Sequence, residues 1–362
     1  MDDFQTLKTY YDEDDFQKII QHPRGKAFLK LRSISRSELL KKFAIENKID
    51  ISDAPPRQLF KFIFDKKIQE SDIENFIKTI YTQERIERKN NEDWLYSQLY
   101  KLQSFNWGGL YQNSLEQTIV NNYIKKIQDY DTLSKKIENE IHFSLRGYVL
   151  NSWYNHWSSI LIEDVFKDHK RVLPTVGLVK KVDFFWDDFP FDLKVTYFPE
   201  GFMSKKRQEL GLDKEISVLK QFARKNSISY DRNSAEKSIF NELLNKIKES
   251  KSVEAKKFLT EFRESRKKIV LDTTKNPRDL LVWLYEEQGV RRFDSANRLF
   301  LILVNLDDLE ESWKLKRNQA ILKDEIKQSL DKGIPKQKNL QLKFNWNGTT
   351  LVTYSTAFFI FI

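Results

Sequence analysis

Apolar and polar residues alternate most regularly in residues 180–199, which read KKVDFFWDDFPFDLKVTYFP. In the second half of this stretch, the two sets of alternate positions are Phe191, Leu193, Val195 and Tyr197 on one side and Asp192, Lys194 and Thr196 on the other. A period of two predicts a β-strand with one apolar face. Asp187 and Asp188 interrupt the pattern and predict a two-residue turn. The stretch therefore predicts a β-hairpin.

The register of this hairpin sets two carboxylates side by side. A two-residue turn pairs Trp186 with Phe189, and counting outward places Asp183 opposite Asp192. Like charges directly opposed destabilise a sheet, so strands that keep both acids are expected to hold a cation between them. The sequence therefore predicts a metal site. The prediction depends on the register, because a slip of one residue would turn these side chains to the other face.

Helical spacing dominates the chain before the hairpin. Apolar residues recur every three or four positions in residues 13–31, 37–47, 57–67, 70–89 and 114–167. The last of these segments is expected to form two helices that divide near Tyr130 or near Gly147.

Glu163 is the candidate third acid of the metal site. It shares a helix face with Ile160 and His156. A carboxylate on a packing face usually has a hydrogen-bonding or ionic partner, or a functional role. Because Glu163 comes twenty residues before Asp183 in the sequence, it is expected to reach the hairpin from the preceding helix.

The chain after the hairpin combines charged helical patterns with buried strands. Residues 235–268 are typical of one long charged helix, and the apolar run RLFLILVN at 298–305 predicts a buried central strand. Two strand patterns flank Asn347 and Gly348, which is a strong hairpin signal. The predicted fold class is α/β (α+β), with a mixed β-sheet core flanked by helices and a mostly helical N-terminal region.

Composition narrows the classes of function. The chain has no cysteine, which excludes disulfides, thiolate zinc sites, iron–sulfur clusters and cysteine nucleophiles. Its four histidines are scattered, which argues against an all-histidine metal site. No run approaches the roughly 20 apolar residues of a membrane span, and the acidic N-terminus is unlike a signal peptide. The protein is therefore expected in the cytoplasm.

The charge of the chain indicates a polyanionic partner. The net charge is +9, and residues 201–270 hold 18 basic and 10 acidic side chains. This excess follows the acidic hairpin directly, as expected if a polyanion is brought to a metal site, although a solvated lysine-rich surface is the alternative. The basic residues expected to contact phosphate groups are Lys180, Lys181, Lys205, Lys206 and Arg207.

The candidate chemistry is metal-assisted phosphoryl transfer. Oxygen ligands from Asp183, Asp192 and Glu163, with no histidine or cysteine, suit Mg²⁺, with Mn²⁺ as a substitute. Such an ion polarises a phosphoryl oxygen and lowers the pKa of a bound water. Lys194, two residues after Asp192 on the same face, can stabilise developing charge or help to activate the water.

These residues resemble the active site of the PD-(D/E)xK nuclease superfamily, and the hairpin is similar to that of type II restriction endonucleases. Asp183 matches the first acid of the motif, Asp192-Leu193-Lys194 matches its second acid and lysine, and Glu163 matches the upstream helix acid of many members. Val182 stands where the motif has its proline. The resemblance implies a restriction-endonuclease-like fold, Mg²⁺-dependent cleavage of double-stranded DNA, and often a homodimer that acts on a symmetric site.

The resemblance also suggests a division of the chain. The NWGGLY turn near Gly108 is the predicted boundary. Residues 1–110 would be a helical region for DNA recognition, and residues 111–362 a catalytic domain with a basic helical insertion at about 201–270. Two other readings stay open: a non-catalytic nucleic-acid-binding protein whose acids are salt-bridged to lysines, and a helical interaction protein unrelated to nucleases.

Overall fold

The structure is a computed structural model that describes residues 2–103, 123–177, 179–287, 296–346 and 349–362. The helices are α1 (Asp3–Asp12), α2 (Phe16–Gln21), α3 (Gly25–Ser33), α4 (Ser37–Glu46), α5 (Leu59–Asp65), α6 (Glu70–Asn90), α7 (Glu92–Leu99), α8 (Tyr130–Lys136), α9 (His142–Lys167), α10 (Glu200–Glu209), α11 (Glu215–Lys225), α12 (Glu236–Glu249), α13 (Val253–Lys275), α14 (Arg278–Glu287), α15 (Gln319–Asp331) and α16 (Gln337–Leu340). Short 3₁₀ helices lie at Pro56–Gln58 and Leu309–Arg317, and a π-helical turn lies at Ile137–Ile141. The turn near Gly108 lies outside the described residues.

The strands are β1 (Val172–Pro174), β2 (Phe184–Trp186), β3 (Phe189–Tyr197), β4 (Arg298–Val304), β5 (Gln341–Trp346) and β6 (Thr349–Phe361). They form one mixed sheet in the order β1-β2-β3-β4-β6-β5. Strand β4 pairs in parallel with both β3 and β6, whereas β1 with β2 and β5 with β6 are antiparallel. The predicted mixed sheet flanked by helices is therefore confirmed.

Strand β4 is the buried central strand that its composition predicts. All seven of its residues are buried, as expected for a parallel strand covered on both faces. The C-terminal hairpin is also confirmed, because Trp346 pairs with Thr349 across the turn. The turn residues Asn347 and Gly348 lie outside the described residues.

The chain divides into two compact units. Unit 1 comprises Met1–Lys26, Phe191–Leu315 and Pro335–Ile362, and unit 2 comprises Ala27–Pro190 and Lys316–Ile334. Each unit is thus built from separate segments of the chain, and one division falls within β3. The boundaries differ in position from the one expected at residue 110.

Unit 1 contains two apolar cores. The first packs α10, α13 and α14 against the sheet, with Phe202, Val270, Leu284, Phe300 and Leu342 among its buried members. The second lies within the helical insertion between β3 and β4, and it is formed by residues of α11, α12 and α13 that include Leu219, Leu243, Ile247 and Phe262. The basic insertion is therefore helical, as predicted, and has a core of its own.

Unit 2 packs helices against the β1-β2 pair. Phe166 of α9 stacks on Phe184 of β2 with ring centroids 5.3 Å apart, and Phe43 of α4 meets Phe76 of α6 edge to face. Aromatic contacts of this kind add directional packing to the burial of apolar area. No helix in the described part of the chain combines the length and apolarity that a membrane span requires.

Three predicted helices have different boundaries in the structure. The segment predicted as one helix at 235–268 is two, because Ser250 leaves the helical conformation and the side chain of Ser252 caps α13. The segment at 13–31 is likewise divided, because α2 begins after its cap Asp15 and residues 22–24 separate it from α3. The expected break near Tyr130 is where α8 begins, whereas Gly147 lies inside α9. Side-chain caps at Asp15, Asp129 and Ser252 begin α2, α8 and α13, whereas α9 begins without one.

Candidate functional site

The predicted hairpin turn is present at Asp187 and Asp188. Both residues have positive φ values, 45° and 69°, as a two-residue hairpin turn of type I′ requires. The Asp187 carboxylate accepts hydrogen bonds of 2.8 Å from Arg171 Nε and Nη2 and one of 2.9 Å from the backbone N–H of Ile334. Partial burial opposes ionisation, but these hydrogen bonds hold the pKa of Asp187 below its usual range. Asp187 therefore stabilises the turn.

Asp183 lies directly before β2 and is fixed through its backbone. Its carbonyl accepts a 2.7 Å hydrogen bond from Thr175 Oγ1 and a 3.3 Å bond from the Thr175 N–H. These bonds continue the β1-β2 register, in which Pro174 pairs with Phe184. The backbone carbonyl is thus satisfied by the sheet, and the residue lines a cleft in unit 2.

Glu163 reaches the same cleft from α9. It lies one turn before Lys167, and Lys167 Nζ is 2.5 Å from Glu163 Oε1. Lys167 also donates a 3.3 Å hydrogen bond to the carbonyl of Thr175. Lys167 therefore joins Glu163 of the helix to Thr175, which directly follows β1.

The cleft has a volume of about 450 Å³ and a lining rich in charge. Its charged residues are the cations Arg36, Arg88 and Lys167 and the acids Glu84, Glu163, Asp164 and Asp183. Gly177 also lines it, and a Cβ at that position would lie 2.1 Å from the carbonyl oxygen of Ser33. Only glycine permits this close approach of two backbone segments.

A partly buried ionic network includes several residues that line the cleft. Arg88 makes a bidentate pair with Asp164, through contacts of 2.9 and 2.8 Å. Arg85 binds Asp168 and Glu92. Tyr81 donates a 3.0 Å hydrogen bond to Asp168 Oδ1, and burial, together with the nearby Asp164 charge, raises the pKa of its hydroxyl. Bidentate pairs hold side chains in defined positions, so the network is rigid and its acids are neutralised.

In unit 1, Asp192 and Lys194 form the predicted acid–lysine pair. Asp192 is buried near the start of β3, and Lys194 Nζ lies 2.5 Å from its Oδ1. The Asp192 N–H donates a 2.8 Å hydrogen bond to the carbonyl of Asn297. Two residues apart on one strand, the side chains share a face, as the alternation predicts.

Arg298 is a neighbour of Asp192 that the sequence analysis missed. It pairs with Asp192 in the parallel register of β3 and β4, and its Nε lies 3.6 Å from Asp192 Oδ2. Its guanidinium also lies 4.8 Å from the ring centroid of Tyr285. A charged residue at the first position of an otherwise apolar central strand was the available signal.

The five predicted phosphate-contacting residues differ in their surroundings. Lys180 and Lys205 are exposed, and Lys181 is half-buried at a positive φ of 59°. Lys206 is paired with Glu209 and Asp279 at 2.8 and 3.2 Å.

The prediction that Arg207 contacts phosphate groups disagrees with its position in the structure. Its side chain is buried, and it donates to the carbonyl of Asp213 at 2.8 Å and to Ser265 Oγ at 3.2 Å. In this structure Arg207 joins two segments of the insertion, and it has no exposed guanidinium with which to contact DNA.

A second group of acids in unit 2 has a geometry compatible with a metal. The carboxylate oxygens of Glu70, Glu74 and Asp188 lie within 4.8 Å of one another. The ammonium of Lys30 binds all three, at 2.9 Å from Glu70 and 2.7 Å from Glu74, in direct contact with Asp188. Burial alone would lower the pKa of Lys30, but the three hydrogen bonds raise it. We call these four residues the Lys30 cluster.

The structure thus brings some of the predicted acids together. Glu163 and Asp183 line one cleft, and Asp192 is paired with Lys194. The pairing of Asp183 with Asp192 follows from the hairpin register and stays a prediction. Lys167 was missed, although its spacing of four residues from Glu163 was visible in the sequence. The chain matches no protein-family model, no curated protein and no solved structure.

Proposed function

We propose that this protein is a Mg²⁺-dependent endonuclease that hydrolyses DNA phosphodiester bonds, with a sequence-specific restriction enzyme as the favoured type. The observation that carries the proposal is that Glu163 of α9 and Asp183, which directly precedes β2, line one cleft. The Asp192–Lys194 contact supports it, because a buried acid beside a lysine is the arrangement the motif requires. The proposal includes a restriction-endonuclease-like fold.

The donor atoms of the candidate acids fit Mg²⁺. Carboxylate oxygens from Glu163, Asp183 and Asp192 are hard ligands, and no histidine of the described residues lines the cleft. Mn²⁺ is the expected substitute because it accepts the same ligands. When bound, the ion supplies a Lewis-acidic centre that polarises a phosphoryl oxygen and lowers the pKa of a bound water.

The protein's own cations would act on the phosphate. In hydrolysis, a water oxygen forms a bond to phosphorus while the bond to the leaving oxygen breaks, and the water loses a proton as the leaving oxygen gains one. Lys194 is half-exposed, so its ammonium can donate a hydrogen bond to the phosphoryl oxygens as their charge grows. The contact with Asp192 keeps that ammonium oriented.

The proposed partners are DNA and a second copy of the chain. Double-stranded DNA is the expected substrate, and a homodimer is the expected assembly because symmetric target sites mirror a two-fold protein axis. The exposed Lys180 and Lys205 are the basic residues best placed to meet a DNA backbone. Action on DNA inside a cell agrees with the expected cytoplasmic location.

The test is cleavage of plasmid and linear DNA with Mg²⁺ or with EDTA. Wild type is expected to cut only with the metal, and Asp192→Ala and Lys194→Ala are each expected to lose about a hundredfold or more of the rate. Sequencing the ends of the products would show whether cleavage is sequence-specific. A wild-type protein that cuts no DNA or RNA, and binds it equally with and without metal, would refute the enzyme proposal.

The matched controls are Asp65→Asn and Lys61→Met. Asp65 and Lys61 form an exposed ion pair of 2.6 Å on α5 of unit 2 and do not line the cleft. Both variants are expected to cleave like wild type, which separates loss of the site from loss of any acid–lysine pair.

A second candidate function is binding of nucleic acid without catalysis. The same Asp192–Lys194 ion pair favours it, because an acid neutralised by a neighbouring lysine can have a purely structural role. In that case, DNA affinity would depend on salt but not on divalent metal. The EDTA arm of the cleavage experiment, repeated as a binding measurement, decides between the two functions.

A further inference from the structure

Lys167 is a cation of the cleft that the sequence motif does not include. It lies in the last turn of α9, where it contacts Glu163 at 2.5 Å and the Thr175 carbonyl at 3.3 Å. Its side chain is only 11% exposed. The ammonium is therefore held between a proposed metal ligand and the segment after β1 that leads to Asp183.

The Glu242–Lys246 pair of α12 is an i, i+4 glutamate–lysine contact with which the Glu163–Lys167 pair can be compared. Lys246 follows Glu242 by four residues on α12, binds it at 2.7 Å, and also donates a 2.7 Å hydrogen bond to the carbonyl of Ser229. The side chain of Lys246 is 41% exposed. The two lysines thus have the same kinds of partner, but Lys167 is much less exposed and lines the cleft.

We propose that Lys167 is the internal counter-cation of Glu163. Its ammonium neutralises and positions this carboxylate while no divalent ion is bound, and it turns to a phosphate group of the nucleic acid when an ion takes Glu163 as a ligand. The inference rests on the proposed function, because it assigns Glu163 to the metal.

The charge of the cleft supports this exchange. Asp164 is paired with Arg88, and Glu163 is the acid of the cleft that contacts Lys167. An ammonium and a divalent ion compete for the same carboxylate oxygens, because each lowers the cost of keeping like charges close. Once displaced, the ammonium still faces the cleft, where an incoming phosphate is the anion that can bind it.

The test compares the affinities of wild type and Lys167→Met for Mn²⁺ and Mg²⁺, measured by isothermal titration calorimetry. Removal of the competing cation is expected to tighten metal binding by about fivefold, the scale of one partly exposed ion pair. DNA binding, measured with Ca²⁺ to limit cleavage, is expected to weaken by a similar factor because a phosphate contact is lost. A purely structural lysine would not change the two affinities in opposite directions.

Two further variants complete the experiment. Lys167→Arg keeps the charge and is expected to restore DNA affinity, whereas Lys246→Met, the matched control, is expected to change neither affinity. If wild type binds metal and cleaves DNA while Lys167→Met keeps both affinities, the inference is wrong and the proposed function stands. If wild type binds no divalent metal, the inference and the proposed function are both overturned.

Discussion

The Lys30 cluster and the Lys167–Glu163 pair, both in unit 2, differ in how completely the lysine is enclosed. In the Lys30 cluster, the lysine side chain is 1% exposed and its ammonium binds three carboxylates. In the cleft, Lys167 binds one carboxylate and one backbone carbonyl, and Asp183 lines the same cavity. The first group has the tighter cluster of acids, whereas the second is open to a ligand.

This difference shows that closely spaced carboxylates do not by themselves indicate a metal site. The three acids of the Lys30 cluster already have a cation at their centre, and that cation comes from α3, far away in the sequence. A metal would have to replace a buried ammonium, which would be left without its partners at a high energetic cost. In the cleft, a metal would displace the ammonium of Lys167 from one carboxylate only, and that ammonium would still line the cleft, where a phosphate group can bind it.

Exchanging acids for amides in the two groups should give the largest difference. The double variant Glu163→Gln with Asp183→Asn is expected to lose DNA cleavage by about a thousandfold or more, since it removes ligands that would place charge at the phosphate. The double variant Glu70→Gln with Glu74→Gln is expected to cleave within about twofold of wild type at a temperature where it is folded. Initial rates on plasmid DNA with Mg²⁺ measure both.

The opposite result would mean that the Lys30 cluster, and not the cleft, holds the metal. Normal cleavage by the cleft variant, together with loss of cleavage and of Mn²⁺ binding in the Glu70/Glu74 variant, would place the metal at the Lys30 cluster. Circular dichroism of both variants checks that each keeps its helices.

Replacement of the two lysines by methionine should affect stability unequally. Lys30→Met leaves three neighbouring carboxylates without their shared cation, and we expect a loss of about 3 kcal/mol of unfolding free energy. Lys167→Met removes contacts with one carboxylate and one backbone carbonyl and leaves only one acid without its cation, so it should cost less, about 1 kcal/mol. Urea unfolding followed by tryptophan fluorescence measures both, and equal losses would show that Lys167 is as structural as Lys30.

Local sequence patterns predicted the elements that depend on neighbouring residues. The turn at Asp187 and Asp188 follows from two polar residues between alternating strands, and the buried strand β4 follows from its apolar run. These features depend on local backbone conformation and on burial, and the residue pattern of a short segment indicates both. Strand β1 was missed because three residues are too few to show a period.

Long-range contacts were not predictable from the same patterns. Lys30 and Asp188 are 158 positions apart, and nothing near either residue in the sequence indicates the other. Arg207 has the composition of a surface cation, yet it is buried because a backbone carbonyl and Ser265 satisfy its guanidinium. Only the folded arrangement decides which cations remain available for a ligand.

The smallest expected effect is the change in unfolding free energy at alkaline pH. It tests whether the acids of the Lys30 cluster keep the Lys30 ammonium protonated. The pKa of Lys30 is raised above its ordinary value of 10.5, so its stabilising contribution is complete below that pH and is lost as the pH rises toward the folded-state pKa. The stability difference between wild type and Lys30→Met should therefore shrink by roughly 0.7 kcal/mol between pH 10 and 11.

Lys316 provides the contrast for this measurement within the same unit. It is buried and contacts the amide oxygen of Asn155 at 2.8 Å, and burial lowers its pKa to about 8. Between pH 8 and 10.5 the folded state then binds fewer protons at Lys316 than the unfolded state, so wild type should gain stability relative to Lys316→Met as the pH rises. The two methionine variants should thus differ in the sign of their pH dependence. The same sign for both would mean that burial, and not the three carboxylates, determines the charge of Lys30.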